Sequence, residues 1–366
     1  MQNPGKWLAA LTSLIVIILI VLHFLNPGPP KNSPAPISIA PTNRSASPQF
    51  VFHPQKVVPQ EQPEPDAAGQ PKIPREKVEA WLAKHNRNAM SLLAAFRALN
   101  DTNYLNEAAA SFPDNPQMEL AVLARDEFPQ DRRKWLDLFK NSSPSNSLAN
   151  YLSAQDDFKN GNNDAAIQEL QAASGKSQFD AFQTESRLDE EDLYLSSGYS
   201  QLDSDKESMT GLALNLIPEL ATYKQLAISI NDLQKQDATS GNTDSVVNLA
   251  QMGATFANQL SNGDSGKMLI NQLVGMAIEK EVLFQLDPNT SYDFLNGQTP
   301  AQVLQQLKVQ KASNRELIGN FSTAYSLMTQ EEMVNYAERV KIFGETAAMQ
   351  WVIQQHPPNS PPSGQQ

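Results

Sequence analysis

From Val78 onward, apolar residues return at every third and fourth position in segment after segment, and strict apolar/polar alternation is almost missing. Such a period turns one side of a 3.6-residue helix toward a core, so the pattern predicts an all-α body. Val78, Trp81 and Leu82 open it. Leu92, Leu93, Phe96 and Leu99 continue one face until NDTN, Asn100 to Asn103, supplies a turn and a cap. A short helix over Tyr104 to Phe112 stops at PDNP. PDNPQMELAVLARDEF (Pro113 to Phe128) and QDRRKWLDLFK (Gln130 to Lys140) form the next pair, and SSPSNSLANYLSAQDDFKN starts a third at Ser142. Pro113-x-Asn115 and Pro144-x-Asn146 lie 31 residues apart, a helical-hairpin period just over thirty.

In FKNGNNDAAIQELQAAS, Phe158 to Ser174, a Gly161-Asn162 turn is followed at once by Ala166, Leu170 and Ala173, with Ala154 twelve residues ahead of Ala166. This arrangement resembles the tetratricopeptide repeat over about residues 88–174, most closely over Ser145 to Ser174. The resemblance implies small residues at the closest approach of two antiparallel helices, and stacked hairpins that form a concave groove for a partner. Asp164 near the start of the second helix complements its positive end. An ordinary α-helical hairpin with an alanine-rich seam accounts for the same residues.

Past Phe179 the segments lengthen and no period is visible. A polar stretch holds DEED at Asp189 to Asp192. LYLSSGYSQL follows at Leu193 to Leu202, then a long apolar-periodic run from Ser208 to Gln236, in which Pro218 predicts a kink or break. Asp244 reads as the cap of a helix reaching Ser261, and Ser265 to Leu286 as a central buried helix. Thr299 to Ser313 and Asn314 to His356 close the body, the latter dividing near Thr329, where Thr-x-x-Glu reads as the capping box of the last helix. The expected organisation is TPR-like hairpins over 76–178 and a longer-helix bundle over 179–356.

Composition changes the picture at the ends. WLAALTSLIVIILIVLHFL, residues 7–25, carries no charge and is long enough to cross a bilayer's roughly 30 Å hydrocarbon layer. It predicts a transmembrane anchor; a cleaved signal peptide is the competing reading, disfavoured by the length of the run and by NPGPPKNSP where a small-x-small site belongs. Residues 1–6 with Lys6 are then cytoplasmic, and the body is extracytoplasmic or periplasmic. Thirteen of the 25 prolines fall between Pro27 and Pro74, and four more lie in the last ten residues. Residues 26–75 therefore read as a disordered spacer and 357–366 as a disordered tail. The alternative to a plain spacer is a docking peptide for a partner around FVFHPQKVVP, Phe50 to Pro59. The chain has no cysteine, which permits an oxidising compartment without demanding one.

Five of the 28 Lys and Arg residues and three of the 40 acids precede Arg75, which leaves 23 against 37 and a net charge of −14 on the body. That balance excludes nucleic acid as a partner of the surface as a whole and favours a basic protein or peptide.

Chemistry is scarce. His85 is the one histidine inside the body, in a polar AKHNRN context that predicts a solvated position, and with no cysteine a multi-His or Cys zinc site is excluded. NGDSGKM, Asn262 to Met268, misses the first glycine and the hydroxyl of a phosphate loop. DPNTSYD, Asp287 to Asp293, lacks the central glycine and closing glutamate of a calcium loop, and DDFKNGNND has Phe158 and Ile167 where ligands are required. Two carboxylates within DEED would suffice for glycosidase chemistry, but adjacent acids on a helix point in different directions, and a solvated face is the expectation. The sequence thus assigns no catalytic, metal or cofactor residue. It predicts a membrane-anchored, non-enzymatic interaction or scaffold protein; the alternative is an envelope-assembly subunit that oligomerises through its C-terminal helices, Glu331 to Ile353.

Overall fold

The computed structural model describes residues 73–357; the anchor, most of the spacer and most of the tail anticipated above lie outside them. Within that span the chain is helical, and the one β-bridge joins Asn146 to Gln178. No described helix is long and apolar enough to cross a membrane.

Fourteen helices follow one another. The first seven are short: α1 (Arg75–Lys84), α2 (Ala89–Leu99), α3 (Thr102–Ser111), α4 (Pro116–Arg125), α5 (Arg132–Ser142), α6 (Leu148–Lys159) and α7 (Asn163–Ser174). Their starts follow from the sequence. Asn88, Asp101 and Asn115 each accept a backbone N–H of the following turn, and Pro116 occupies the first helical position, where its missing N–H is harmless. From α2 on they pair as hairpins, α2 with α3, α4 with α5 and α6 with α7, each pair packed on the next. Leu92, Leu93, Phe96, Leu105, Leu136, Phe139, Tyr151 and Leu170 fill the space between them.

The α6/α7 hairpin turns as expected. Gly161 adopts a left-handed φ of 76°, the Asn162 N–H reaches back to the Asp157 carbonyl at 2.9 Å, and Ala154 and Ala166 are fully buried in the seam.

After α8 (Gln183–Ser196) the chain enters α9 (Gln201–Thr239), 39 residues and roughly 58 Å long at 1.5 Å per residue. Of the kink or break predicted at Pro218, the break is absent: the helix continues through the proline. A proline removes one intrahelical bond, and the packing that flanks this one on both sides, Leu216 and Leu220 among the buried residues, outweighs that loss. The C-terminal part of α9 forms a hairpin with α10 (Thr243–Ser261) that packs α9 on α6 and α10 on α7. Its turn repeats the earlier one eighty residues on. Gly241 has φ 75°, the Asn242 N–H reaches the Asp237 carbonyl at 2.8 Å, and Asp244 sits in the first turn, not at the cap as the sequence suggested. The series of hairpins therefore continues past residue 178; helix length changes there, while packing does not.

A short 3-10 turn, Ser265–Lys267, leads into α11 (Leu269–Val282), which lies tightly on α10. A Cβ on Gly253 would stand 2.5 Å from Val282 Cγ1, and one on Gly275 2.7 Å from the Ala257 carbonyl, so glycine alone permits this approach. Then α12 (Pro300–Tyr325) opens with a Thr299/Gln302 capping box and continues past Ser313 without the division the sequence suggested. α13 (Gln330–Phe343) has the expected Thr329/Glu332 box, but Gly344 (φ 85°) splits off α14 (Glu345–Gln355) where one last helix was anticipated.

Candidate functional site

DEED lies on α8, and its four acids radiate to different neighbours, as adjacent helical positions must. Only part of the run is the solvated face expected: Asp192 is exposed and Asp189 half-buried, while Glu190 and Glu191 are buried. Asp192 accepts the Trp81 indole N–H at 2.7 Å and stands 3.3 Å from His85, whose other ring nitrogen lies 2.8 Å from the Trp81 carbonyl. His85 is thereby held half-buried at the end of α1, a correction to the solvated position expected for it. Glu191 meets Lys341 of α13 at 2.5 Å and accepts from Gln201 at 2.7 Å. Glu190, 2 % exposed, turns inward to within 3.8 Å of Arg97, and Gly211 leaves the room its carboxylate needs.

Around Arg97, residues from α2, α4, α8 and the first half of α9 enclose a narrow pocket that also holds Glu219 and Arg125. Burial pushes both Glu190 and Glu219 up to about 8, against the downward pull of Arg97. Both carboxyls line this narrow space among packed helices and do not flank an open groove. About 50 Å³ of open space holds a water or two and no sugar ring. The same helices, α8 and the front of α9, cover the α2/α4 face on which a peptide groove would have opened.

A second buried cluster joins α8, α9 and α13. Glu191, Asp205 and Glu338 offer oxygens within 4.8 Å of one another, the one described group with the spacing of a metal site. Lys341 stands at its centre, 2.5, 3.0 and 2.7 Å from the three, and Arg187 is 3.5 Å from Asp205. The chain's own ammonium supplies the charge a cation would bring, and the cluster is an ionic tie between helices.

The loop candidates resolve into structural turns. Lys267 pairs with Asp264 at 2.6 Å and Asp264 accepts from Thr184, so the NGDSGKM lysine is already occupied. Asp287 accepts from the Asn289 N–H and the Thr290 hydroxyl, a turn closing the preceding helical segment. Asp156 and Asp157 pair with Arg132 and Arg133.

The open concavity lies elsewhere. Between α10, α11, the segment at Phe294 to Gln298 and α12 is an open cleft of about 620 Å³. Gln251, Asn258, Asn296, Gln306 and Gln310 present amides to it, joined by Thr255, Gln272 and Gln298; Met276, Leu295 and Leu307 form apolar floor. α12 is packed most deeply near its two ends. Val303 joins Val246, Ala250, Leu283, Leu286 and Leu295, while Ile318, Phe321 and Ala324 pack at the far end, where α14 and Tyr336 lie. Leu307 is half-buried against the first of these clusters, and Asn314 meets Met276 of α11 at 3.8 Å. Between its ends α12 spans the cleft. Sequence reasoning missed this site because isolated Gln and Asn residues carry no motif; the signal was the polar middle of α12 inside a helix with two apolar ends.

No protein-family model matches the chain, and searches of curated proteins and of solved structures found no match.

Proposed function

We propose that this chain is a membrane-anchored, non-enzymatic interaction protein: an N-terminal apolar segment, a Pro-rich spacer, and an acidic body of TPR-like hairpins that binds a partner protein or peptide outside the cytoplasm. The observation that carries this reading is the cleft beneath α12. There, Gln251, Asn258, Asn296, Gln306 and Gln310, from several elements, line an open cleft and make no side-chain hydrogen bond among the described residues, whereas the buried carboxylates are spent on ties between helices. Side-chain amides give and accept hydrogen bonds without charge, which suits recognition and not proton transfer. The body's net charge of −14 would draw in a basic partner over distance.

The test places a photo-crosslinking residue at Gln306 or, as a control, at Asp164 on the α7 hairpin, in the full chain in cells, together with a protease-protection assay on a tag after Gln366. A defined partner trapped from Gln306 alone, with the tag outside the cytoplasm, is the expected result. Equal trapping at both positions, or a protected cytoplasmic tag, overturns it.

The assembly reading has its own observation. Leu327, Ile342 and Phe343 stand 56, 54 and 46 % exposed near the ends of α12 and α13. Self-association through them would give a mass that rises with concentration and falls to that of one chain in Phe343→Ser.

A further inference from the structure

The walls of the cleft are three stripes at helical spacing: Gln251 and Asn258 on α10, then Gln272, Met276 and Glu279 on α11, then Val303, Leu307 and Gln310 on α12. Every other polar lining residue carries an amide or a hydroxyl, so Glu279 is the one charged group that faces the opening. It is half-buried and has no ion pair and no side-chain hydrogen bond among the described residues; burial alone raises its carboxyl. Glu281, two residues on, differs: it accepts from the Asn231 amide. Lys280, next in the chain, and Lys311 act on each other, line no part of the cleft and do not offset the burial of Glu279. A half-buried carboxylate without a counter-ion is unfavourable by itself and gains when a cation arrives from outside.

We propose that the cleft beneath α12 binds an extended segment of a partner protein and takes one lysine or arginine of it against Glu279, while the amides of Gln251, Asn258, Gln306 and Gln310 bond the segment's backbone. This rests on the reading of the body as a partner-binding module and names the residue that selects the partner. The dimensions fit. From Gln251 to Asn262 the α10 wall runs about 16 Å at 1.5 Å per residue, room for about five extended residues. Met276 lies one turn from Glu279 and, with Leu307, offers apolar floor to the methylene stem of a basic side chain. An extended backbone presents alternating N–H and C=O groups, each of which a side-chain amide satisfies with the opposite group. A free polyamine would bring several positive charges to a single carboxylate and leave the amide acceptors and donors unevenly used, which favours the peptide. The body's net charge of −14 attracts at long range the same kind of partner that Glu279 holds at contact.

The experiment screens the full chain in detergent against an array of random peptides, acetylated at one end and amidated at the other so that only side chains carry charge, and measures the best binders by fluorescence anisotropy. Enriched peptides should carry Lys or Arg at one position. Glu279→Gln should weaken them about tenfold, a charged hydrogen bond being worth about one such factor. The same substitution should leave unchanged the binding of a peptide whose lysine is acetylated or whose arginine is replaced by citrulline, which separates a lost charge contact from a wall altered in shape. Gln306→Ala with Gln310→Ala should weaken charged and neutralised peptides alike, by roughly three- to tenfold. Glu279→Gln should melt no lower than the parent, since it removes an unpaired, half-buried charge and keeps the side chain's shape. No enriched peptide, enrichment of acidic or uncharged peptides, equal binding by Glu279→Gln, or tighter binding of spermidine than of any peptide would each overturn the proposal. A partner trapped at Gln306 in cells and bound equally well by Glu279→Gln would discard this ligand chemistry and leave the partner-binding reading intact; no partner trapped there removes both.

Discussion

The hairpins α6/α7 and α9/α10 share one turn and differ in what is laid on them. Both run Asp-x-x-x-Gly-Asn-x-Asp, from Asp157 and from Asp237, and their turn hydrogen bonds correspond one by one: Gly161 to Phe158 and Gly241 to Ala238, then Asn162 to Asp157 and Asn242 to Asp237. The layer over the first hairpins, α8 and the front of α9, meets them through acids, Glu190 and Glu219 about Arg97 of α2. On α10 the next layer is fastened by missing atoms: Gly253 and Gly275 let α11 sink onto the helix. A tie of buried carboxyls depends on protonation and a steric one on volume, so the two halves should fail under different insults.

The largest effect expected is that of pH. Glu190 and Glu219 are raised to about 8, and Glu119, Glu207 and Glu345 to about 7, by burial. A carboxyl whose folded value lies above its unfolded value holds more protons when folded, so its stabilisation is complete below about 4.5 and is lost as pH rises through 7 to 8. The melting temperature should therefore fall by roughly 10 °C or more between pH 5.5 and pH 8.5. Glu190→Gln should flatten that slope; an unchanged slope would remove the acid tie from the account. Glu79, Asp264 and Glu332 are lowered, and their loss belongs to more acidic solutions outside this window.

Next in size, Gly253→Ala puts a methyl group against Val282 and should destabilise by about 2 to 3 kcal/mol at any pH. Ala173→Gly, at the equivalent place in the first hairpin, should lose about 1 kcal/mol. Urea midpoints of the two variants, if equal, would break the comparison. Gln234 is buried in the second seam and donates to the Val246 and Val282 carbonyls, both at 3.1 Å, at the position Ala154 holds in the first. Gln234→Ala should cost about 2 kcal/mol by leaving those acceptors dry, against a near-neutral Ala154→Gly beyond its helical penalty. The smallest effect sharpens the likeness. Gly161→Ala and Gly241→Ala meet no atom within 4 Å, so only the left-handed φ opposes them, and both should cost about 1 kcal/mol, equal within error.

The helical class was legible because period and caps are local. Asn88, Asp101 and Asn115, the Thr329 box and the Gly161 turn can each be read within a few residues. The second hairpin was equally local in its turn, yet it was overlooked, because attention to Ala154, Ala166, Leu170 and Ala173 made small seam residues the signature. Gln234, Val246, Ala250 and Gly253 keep the spacing and change the chemistry. Continuity through Pro218, the inward turn of Glu190 and the cleft were not legible. Each depends on which distant helix lies opposite, and a single chain does not display that.

The spanning form of α12 has a consequence in time as well as in space. A helix buried at Val303 and Ile318 and only half-buried at Leu307, Lys311 and Asn314 between them draws more of its stability there from its own hydrogen bonds, which open more readily than those backed by a core. Amide exchange should therefore be fastest near Lys308 to Ser313 and slow toward both ends, so that the roof over the cleft breathes from its centre while its abutments stay shut.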